Sequence, residues 1–173
     1  MTLPEEEKEA LFKLKNPGRP HIGNLLVKYG YAPDRNTAIR EYVNKTKTPG
    51  VGRIGPQQAI EAILASGGVP VLAHAILGDG NQMVRGGELD VRLKELKEYG
   101  LQGVEAYYST FTPDMVQEML DFAEKYDFLV SVGSDYHGKN KTIPLGFTGP
   151  EGGLADARTE PRVMALLQRL GVL

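Results

Sequence analysis

Residues 113–135 read PDMVQEMLDFAEKYDFLVSVGSD, and this stretch decides the fold class. Apolar residues recur at helical spacing through residues 113–127, and the apolar run that follows predicts a buried strand. The run stops at Gly133, and Asp135 and His137 follow it two residues apart. Because side chains two apart on an extended chain point to the same side, we expect a carboxylate and an imidazole to converge there.

The same order of helix and strand occurs twice upstream of this stretch. Residues 56–66, PQQAIEAILAS, and 89–100, LDVRLKELKEYG, predict helices, and the segments VPVLAH (69–74) and GVEAYY (103–108) that follow them predict strands. A final helix is expected at 160–171, whereas 146–159 has the composition of a loop. The alternation predicts an α/β fold with about three parallel strands and right-handed crossovers.

The first part of the chain has a different pattern. Three short helices are predicted in residues 4–15, 21–30 and 33–43, with Asp34 as an N-cap and Gly30 as a stop signal. A Gly-, Pro- and Lys-rich connection follows. The expected domain organisation is therefore a helical segment, 1–50, and an α/β part, 51–173.

Composition excludes several classes of protein. The chain has 173 residues, 41% of them hydrophobic and 24% charged, as in ordinary globular domains. It has no cysteine, so any metal must be held by histidine, carboxylate or water. A net charge of -2 provides no field for nonspecific nucleic-acid binding. Neither a membrane-spanning run nor a signal peptide is recognisable, so a cytoplasmic location is the expectation.

Polar residues lie at the carboxyl end of all three predicted strands. His74 ends the first, Glu105 lies in the second with Tyr107 and Tyr108 at its end, and Asp135 and His137 follow the third. In parallel α/β folds this edge carries the functional site, so a metal or acid–base site is the favoured interpretation. Glu105 could instead pair with a lysine, and the two tyrosines are expected to pack rather than react.

Five motifs carry a resemblance to a known family. The segments GGVPVLAH, GLQGVEAYYS and SVGSDYHG, in this order, resemble the C-terminal half of the polymerase and histidinol phosphatase (PHP) family of metal-dependent phosphoesterases. GRPHIGNLLVKYG and EYVNKTKTPGVG resemble the helical cap of the branch that hydrolyses small nucleotides and related phosphate esters.

The resemblance implies a fold, a cofactor and a set of site residues. The family has a distorted β/α barrel of about seven strands with divalent ions at the carboxyl ends, and this chain would be a partial barrel plus the cap. Manganese, iron or zinc ions would be the cofactors. Three residues match metal ligands of the family: His74, Asp135 and His137. Three others match residues that contact the substrate phosphate: Arg19, His21 and Lys47.

Two departures from the family pattern limit the expected activity. Ala75 stands where the family has proline, and the family's N-terminal half, with its other metal ligands, has no counterpart in these residues. The expected function is hydrolysis of a small phosphate ester, weak or absent in this chain alone. The alternative is a non-catalytic phosphate-binding or interaction module. The chain is expected to be a piece of a longer enzyme whose helical cap packs against the open sheet, or a homodimer that covers the sheet, with a separate partner chain as the third alternative. A nucleic-acid substrate is not expected.

Overall fold

The computed structural model describes residues 1–46, 52, 54–78, 83–138, 142–148 and 154–173. The chain divides into two compact units, Met1–Arg53 and Ile54–Leu173. No helix in these described ranges is long and apolar enough to cross a membrane.

The first unit consists of helices. These are α1 (Glu5–Phe12), α2 (Arg19–Lys28) and α3 (Arg35–Ala38), and α3 continues as a single π-helical turn, Ile39–Val43. The Asp34 side chain accepts from the Thr37 backbone N–H at 2.9 Å, which is the N-cap that its position predicted. A small core of Leu26, Ala32 and Ala38 is buried in this unit.

The second unit contains a parallel three-stranded sheet with helices around it. Its elements in chain order are α4 (Pro56–Ala65), β1 (Val71–Leu72), a short 3-10 turn (Ala75–Leu77), α5 (Gly86–Glu98), β2 (Gly103–Tyr108), α6 (Pro113–Tyr126), β3 (Leu129–Gly133), α7 (Leu154–Thr159) and α8 (Pro161–Arg169). The strand order is β1-β2-β3, and both pairs are parallel. The predicted α/β class with three parallel strands is therefore confirmed.

The core of this unit lies around β2, whose six residues are all buried. Helix α6 presents Met115, Met119 and Ala123 to the core, four residues apart, which is the spacing of one helix face. The helix begins with Pro113 and ends where Asp127 takes a left-handed φ of 50°. The Phe128 side chain that follows is fully buried, and β3 begins at the next residue.

Strand β1 is shorter than the six residues that the sequence predicted. Pro70 has no N–H to donate, and its carbonyl accepts from the N–H groups of Gln102 and Gly103. His74 has a left-handed φ of 35° and turns the chain away from the sheet. The regular pairing is therefore limited to Val71–Leu72.

One expectation for the second unit was wrong. Residues 154–159, assigned to a loop by their composition, form α7. The buried side chain of Ala157 packs in the main core, 2% exposed, and α7 also contacts α8. Packing against a preformed core stabilises a short helix that local propensity alone would leave marginal.

Candidate functional site

Two residues at the ends of the outer strands have unusual backbone conformations. His74, after β1, has φ 35°, and Asp135, after β3, has φ 51°. Left-handed backbone is uncommon outside glycine, although Asp and His adopt it more often than most residues. Each residue therefore turns the chain out of the sheet at the carboxyl edge. Its side chain there is only partly buried.

The Glu105 carboxylate links the ends of all three strands. Glu105 belongs to β2 and is only 8% exposed. Its Oε2 accepts a hydrogen bond of 2.8 Å from the backbone N–H of His74, beyond β1. Its Oε1 lies against Gly133, the last residue of β3, where an added Cβ would be 2.5 Å away. The sequence suggested an ion pair with a lysine as one interpretation of Glu105. Its hydrogen bond with the His74 backbone was not predicted.

Tyr108 connects His74 and Asp135. Its ring contacts the His74 ring with centroids 5.3 Å apart and a tilt of 56°. Its hydroxyl donates to Asp135 Oδ2 at 2.9 Å. Tyr108 is 3% exposed and Tyr107 6%, so both pack as the sequence predicted. The hydrogen bond gives Tyr108 a second role, which orients the Asp135 carboxylate.

Asp135 and His137 meet, but for a reason other than strand alternation. β3 ends at Gly133, and the left-handed backbone at Asp135 breaks the two-residue period. His137 Nδ1 lies 2.7 Å from the backbone carbonyl oxygen of Asp135 and 3.5 Å from its Oδ1. A carbonyl oxygen only accepts, so Nδ1 carries the proton and Nε2 keeps its lone pair. Nε2 is therefore the nitrogen that could bind a metal ion.

The residues at this edge have the right chemistry for a divalent metal, but they form only part of a ligand set. Imidazole nitrogen and carboxylate oxygen are ligands that zinc, iron and manganese accept. In the described part of the chain, however, no three His, Asp or Glu side chains are grouped closely enough to hold an ion by themselves. The donor types suit such an ion, but the described residues do not by themselves provide a complete ligand set.

The three residues expected to contact phosphate belong to a different part of the chain. His21 is on α2, where its Nδ1 accepts from the Gly18 backbone N–H at 3.1 Å. This bond closes the first turn of α2 and leaves Nε2 as a donor. Arg19 is exposed on the same turn, two residues away, and residues two apart do not share a helix face. Lys47 lies outside the described residues.

Relatives in sequence agree in their general chemistry. The chain is 28% identical over 130 residues to a 5'-3' exoribonuclease of Haemophilus influenzae, covering 74% of the chain and 46% of that protein. It is 31% identical over 100 residues to a phosphoribosyl 1,2-cyclic phosphate 1,2-diphosphodiesterase of Eggerthella lenta, covering 56% of the chain and 34% of the relative. No family sequence profile matches the chain.

Solved structures extend the similarity to nearly the whole chain. A candidate metal-dependent phosphoesterase of Bifidobacterium adolescentis aligns with a TM-score of 0.68 and 27% identity, over 96% of this chain and 56% of that one. An amidohydrolase of Chromobacterium violaceum, solved with sulfate and without metal, aligns with a TM-score of 0.57 and 26% identity, over 87% of this chain and 55% of that one.

These similarities confirm the resemblance to metal-dependent phosphoesterases that the motifs predicted. The chain spans about half the length of the solved structures and 34% to 46% of the two curated relatives. The exoribonuclease name weighs against the expectation that nucleic acid is not a substrate.

Proposed function

We propose that this chain forms part of a metal-dependent phosphoesterase, with its reaction centre at the carboxyl edge of the sheet. The observation that carries the proposal is the junction at Tyr108, whose ring contacts His74 and whose hydroxyl binds Asp135. Residues that follow the two outer strands thereby both contact one residue of the middle strand. A family resemblance limited to separate motifs would not require such a junction.

His74, Asp135 and His137 are the proposed metal ligands. His137 would use Nε2, because its Nδ1 is engaged by the Asp135 carbonyl. Asp135 would use Oδ1, since Oδ2 accepts from the Tyr108 hydroxyl. A bound divalent ion polarises a phosphoryl oxygen and offsets the charge that develops on it. Manganese is the ion we propose to test first.

Three ligands are fewer than a tight multi-ion site needs, so the chain alone is proposed to bind metal weakly and to turn over slowly or not at all. Further residues of a longer protein, a second copy of the chain or another polypeptide would supply the remaining ligands and cover the outer strands β1 and β3. A cytoplasmic, reducing location is proposed as well, in keeping with a chain that has no cysteine.

Two substrate classes follow from different observations. The motifs favour a small nucleotide or related phosphate ester, whose phosphate Arg19, His21 and Lys47 are proposed to contact. RNA ends are the second candidate, because the Haemophilus influenzae relative is named as an exoribonuclease. A panel of nucleoside monophosphates, a cyclic phosphodiester and a 5'-phosphorylated oligoribonucleotide distinguishes the two classes.

The decisive experiment measures Mn²⁺ binding by calorimetry and turnover on that panel with the same preparation. His74→Ala and Asp135→Ala should each weaken Mn²⁺ binding by at least about tenfold, since each removes a ligand. Asp121→Asn, which alters a carboxylate on α6 that bonds only to Gln117 among the contacts described, is the matched control and should leave affinity unchanged. Unchanged affinity in both alanine variants would refute the ligand assignment.

The non-catalytic alternative predicts a different result. A phosphate-binding module would bind inorganic phosphate or a nucleotide without Mn²⁺, and Arg19→Ala would abolish that binding while His74→Ala would not. Turnover that depends on Mn²⁺ and is lost in His74→Ala would exclude this alternative.

A further inference from the structure

Glu105 is a buried carboxylate that has no role in the proposed reaction as described above. It is 8% exposed, and it matches none of the family positions from which the metal ligands were assigned. Burying a carboxylate is costly unless strong hydrogen bonds compensate for the lost hydration. A specific partner must therefore account for its presence in the middle strand.

One such partner is the backbone N–H of His74. The His74 N–H donates to Glu105 Oε2 at 2.8 Å across a separation of 31 residues. This is a charge-assisted bond, which is stronger than one between neutral groups. It acts on the residue whose φ of 35° departs from the conformations that most residues prefer. The bond thus fixes the backbone from which a proposed metal ligand projects.

Gly133 provides the space that this arrangement needs. An ideal Cβ at Gly133 would lie 2.5 Å from Glu105 Oε1, closer than two such atoms can approach. The φ of Gly133 is not positive, so the backbone conformation does not explain why glycine stands at this position. Close approach of the carboxylate does.

We propose that Glu105 is a positioning residue for the metal site, and that Gly133 is small so that Glu105 can reach the His74 N–H. We call this group of three residues the Glu105 clamp. The clamp sets the direction of the His74 imidazole relative to Asp135 and is not itself a metal ligand. Its link to metal binding rests on the proposed function, whereas the hydrogen bond itself does not.

The first test needs no metal and uses the wild-type chain. An NMR experiment that detects scalar coupling through hydrogen bonds should show coupling from the His74 amide nitrogen to the Glu105 side-chain carboxylate. The same amide proton should exchange with solvent at least about tenfold more slowly than in Gly133→Ala. Absence of the coupling together with fast exchange in the wild type would overturn the clamp.

The second test compares substitutions at both partners. Glu105→Leu removes the acceptor, and Gly133→Ala displaces it; each should weaken Mn²⁺ binding about tenfold or more, as loss of a residue that orients a ligand does. Glu105→Gln keeps an acceptor oxygen and should retain both the slow His74 exchange and most of the affinity. Gly87→Ala, where an added Cβ meets no atom within 4 Å, is the control for glycine replacement.

The outcomes separate the clamp from the proposed function. If Glu105→Gln loses affinity as fully as Glu105→Leu while the His74 amide stays protected, Glu105 acts through its charge and the positioning role is refuted. If the wild type binds no Mn²⁺ while the coupling is present, the proposed function fails and the clamp remains as a structural feature only. Reduced affinity in Gly133→Ala with an unchanged melting temperature would support the positioning role.

Discussion

At the scale of single residues, His21 and His137 use Nδ1 in opposite ways. His21 Nδ1 accepts from the Gly18 N–H, so its proton lies on Nε2. His137 Nδ1 faces the Asp135 carbonyl oxygen, so its proton lies on Nδ1. The first arrangement caps a helix and presents a donor, whereas the second presents a lone pair, which suits a metal ligand.

We therefore predict opposite neutral tautomers for His21 and His137. Long-range ¹H–¹⁵N correlation spectra in mildly alkaline solution should show the Nε2–H form for His21 and the Nδ1–H form for His137. An Nε2–H tautomer at His137 would contradict the role given to its Nε2.

Tyr108→Phe isolates the contribution of one hydroxyl. The ring contacts with His74 and Phe111 should survive, while the bond to Asp135 Oδ2 is lost. Because the lost bond has a charged acceptor in a half-buried place, we expect unfolding free energy to fall by about 1–3 kcal/mol. We also expect weaker Mn²⁺ binding, because Asp135 loses its orientation.

Urea unfolding and calorimetry measure the two effects of Tyr108→Phe. Tyr99→Phe is the control, since the Tyr99 hydroxyl bonds the exposed side chain of Glu95 at 2.6 Å on the same helix. That surface bond should contribute little to stability. Equal effects of the two substitutions would argue against a special role for the Tyr108 hydroxyl.

The sequence predicted where these residues lie but not what they contact. His74, Asp135 and His137 were placed at one edge of the sheet because parallel strands present their carboxyl ends together. The partners of Glu105 and Tyr108 are 31 and 27 residues away in the chain. Such contacts depend on the register of β2 with its neighbours, including the irregularity between Glu105 and Tyr107, which no local pattern encodes.

At the scale of elements, α1 is held to α2 by one carboxylate. Glu7 accepts from both Lys28 Nζ and the Tyr29 hydroxyl, the latter at 3.0 Å. The bond from Lys28 and then that from Tyr29 lower the pKa of Glu7, and the pKa values of Lys28 and Tyr29 are raised, in each case chiefly by the bond to Glu7. No α1 residue is buried, so this polar link is prominent in its attachment.

We predict that the attachment of α1 weakens in acid. The lowered pKa of Glu7 means that its contribution is complete above the ordinary glutamate range and is lost as the pH falls through the lowered pKa. The raised pKa of Lys28 places the opposite loss at strongly alkaline pH. The hydrogen-exchange protection factors of the α1 amides should therefore fall in acid by more than those of α6.

Glu7→Gln should weaken the attachment of α1 at neutral pH as acid does, because it removes the negative charge to which Lys28 and Tyr29 both donate. Glu6→Gln, on an exposed neighbouring side chain, is the control and should exchange like the wild type. If α1 exchanges equally fast in both variants, Glu7 does not hold this helix.

At the scale of the whole molecule, the two units differ in how much apolar surface they bury. The core of Ile54–Leu173 includes large side chains that are almost fully buried, among them Phe111, Phe128, Leu93 and Met119. Among the described residues of Met1–Arg53, the buried apolar core consists of Leu26, Ala32 and Ala38. A unit of about 50 residues with so small a core is marginal alone.

We predict that a fragment of residues 54–173 unfolds cooperatively and retains the Glu105 clamp, whereas a fragment of residues 1–53 has little stable structure. Circular dichroism during thermal unfolding measures the cooperativity, and the exchange of the His74 amide proton reports whether the Glu105 clamp is retained. Loss of cooperative unfolding in 54–173 would show that its sheet depends on the first unit.

Light scattering of the full chain at several concentrations tests whether a second copy covers the outer strands.

The sequence by itself determined the elements whose signals are local. Asp34 marks a helix start in the structure as it did in the sequence, and the alternation of helix and strand yields three parallel strands in chain order. These features depend on spacing and capping within a few residues, so a single chain segment contains all the information they need.

Only the tertiary structure decided the rest. The helix at Leu154–Thr159 exists where Ala157 packs in the core. Strand β1 ends just before His74, whose left-handed backbone turns the chain and whose N–H donates to Glu105. The meeting of Asp135 with Tyr108 likewise requires β2 and β3 to be paired first. Each depends on groups far apart in the chain, whose energies exist only after the sheet has brought them together.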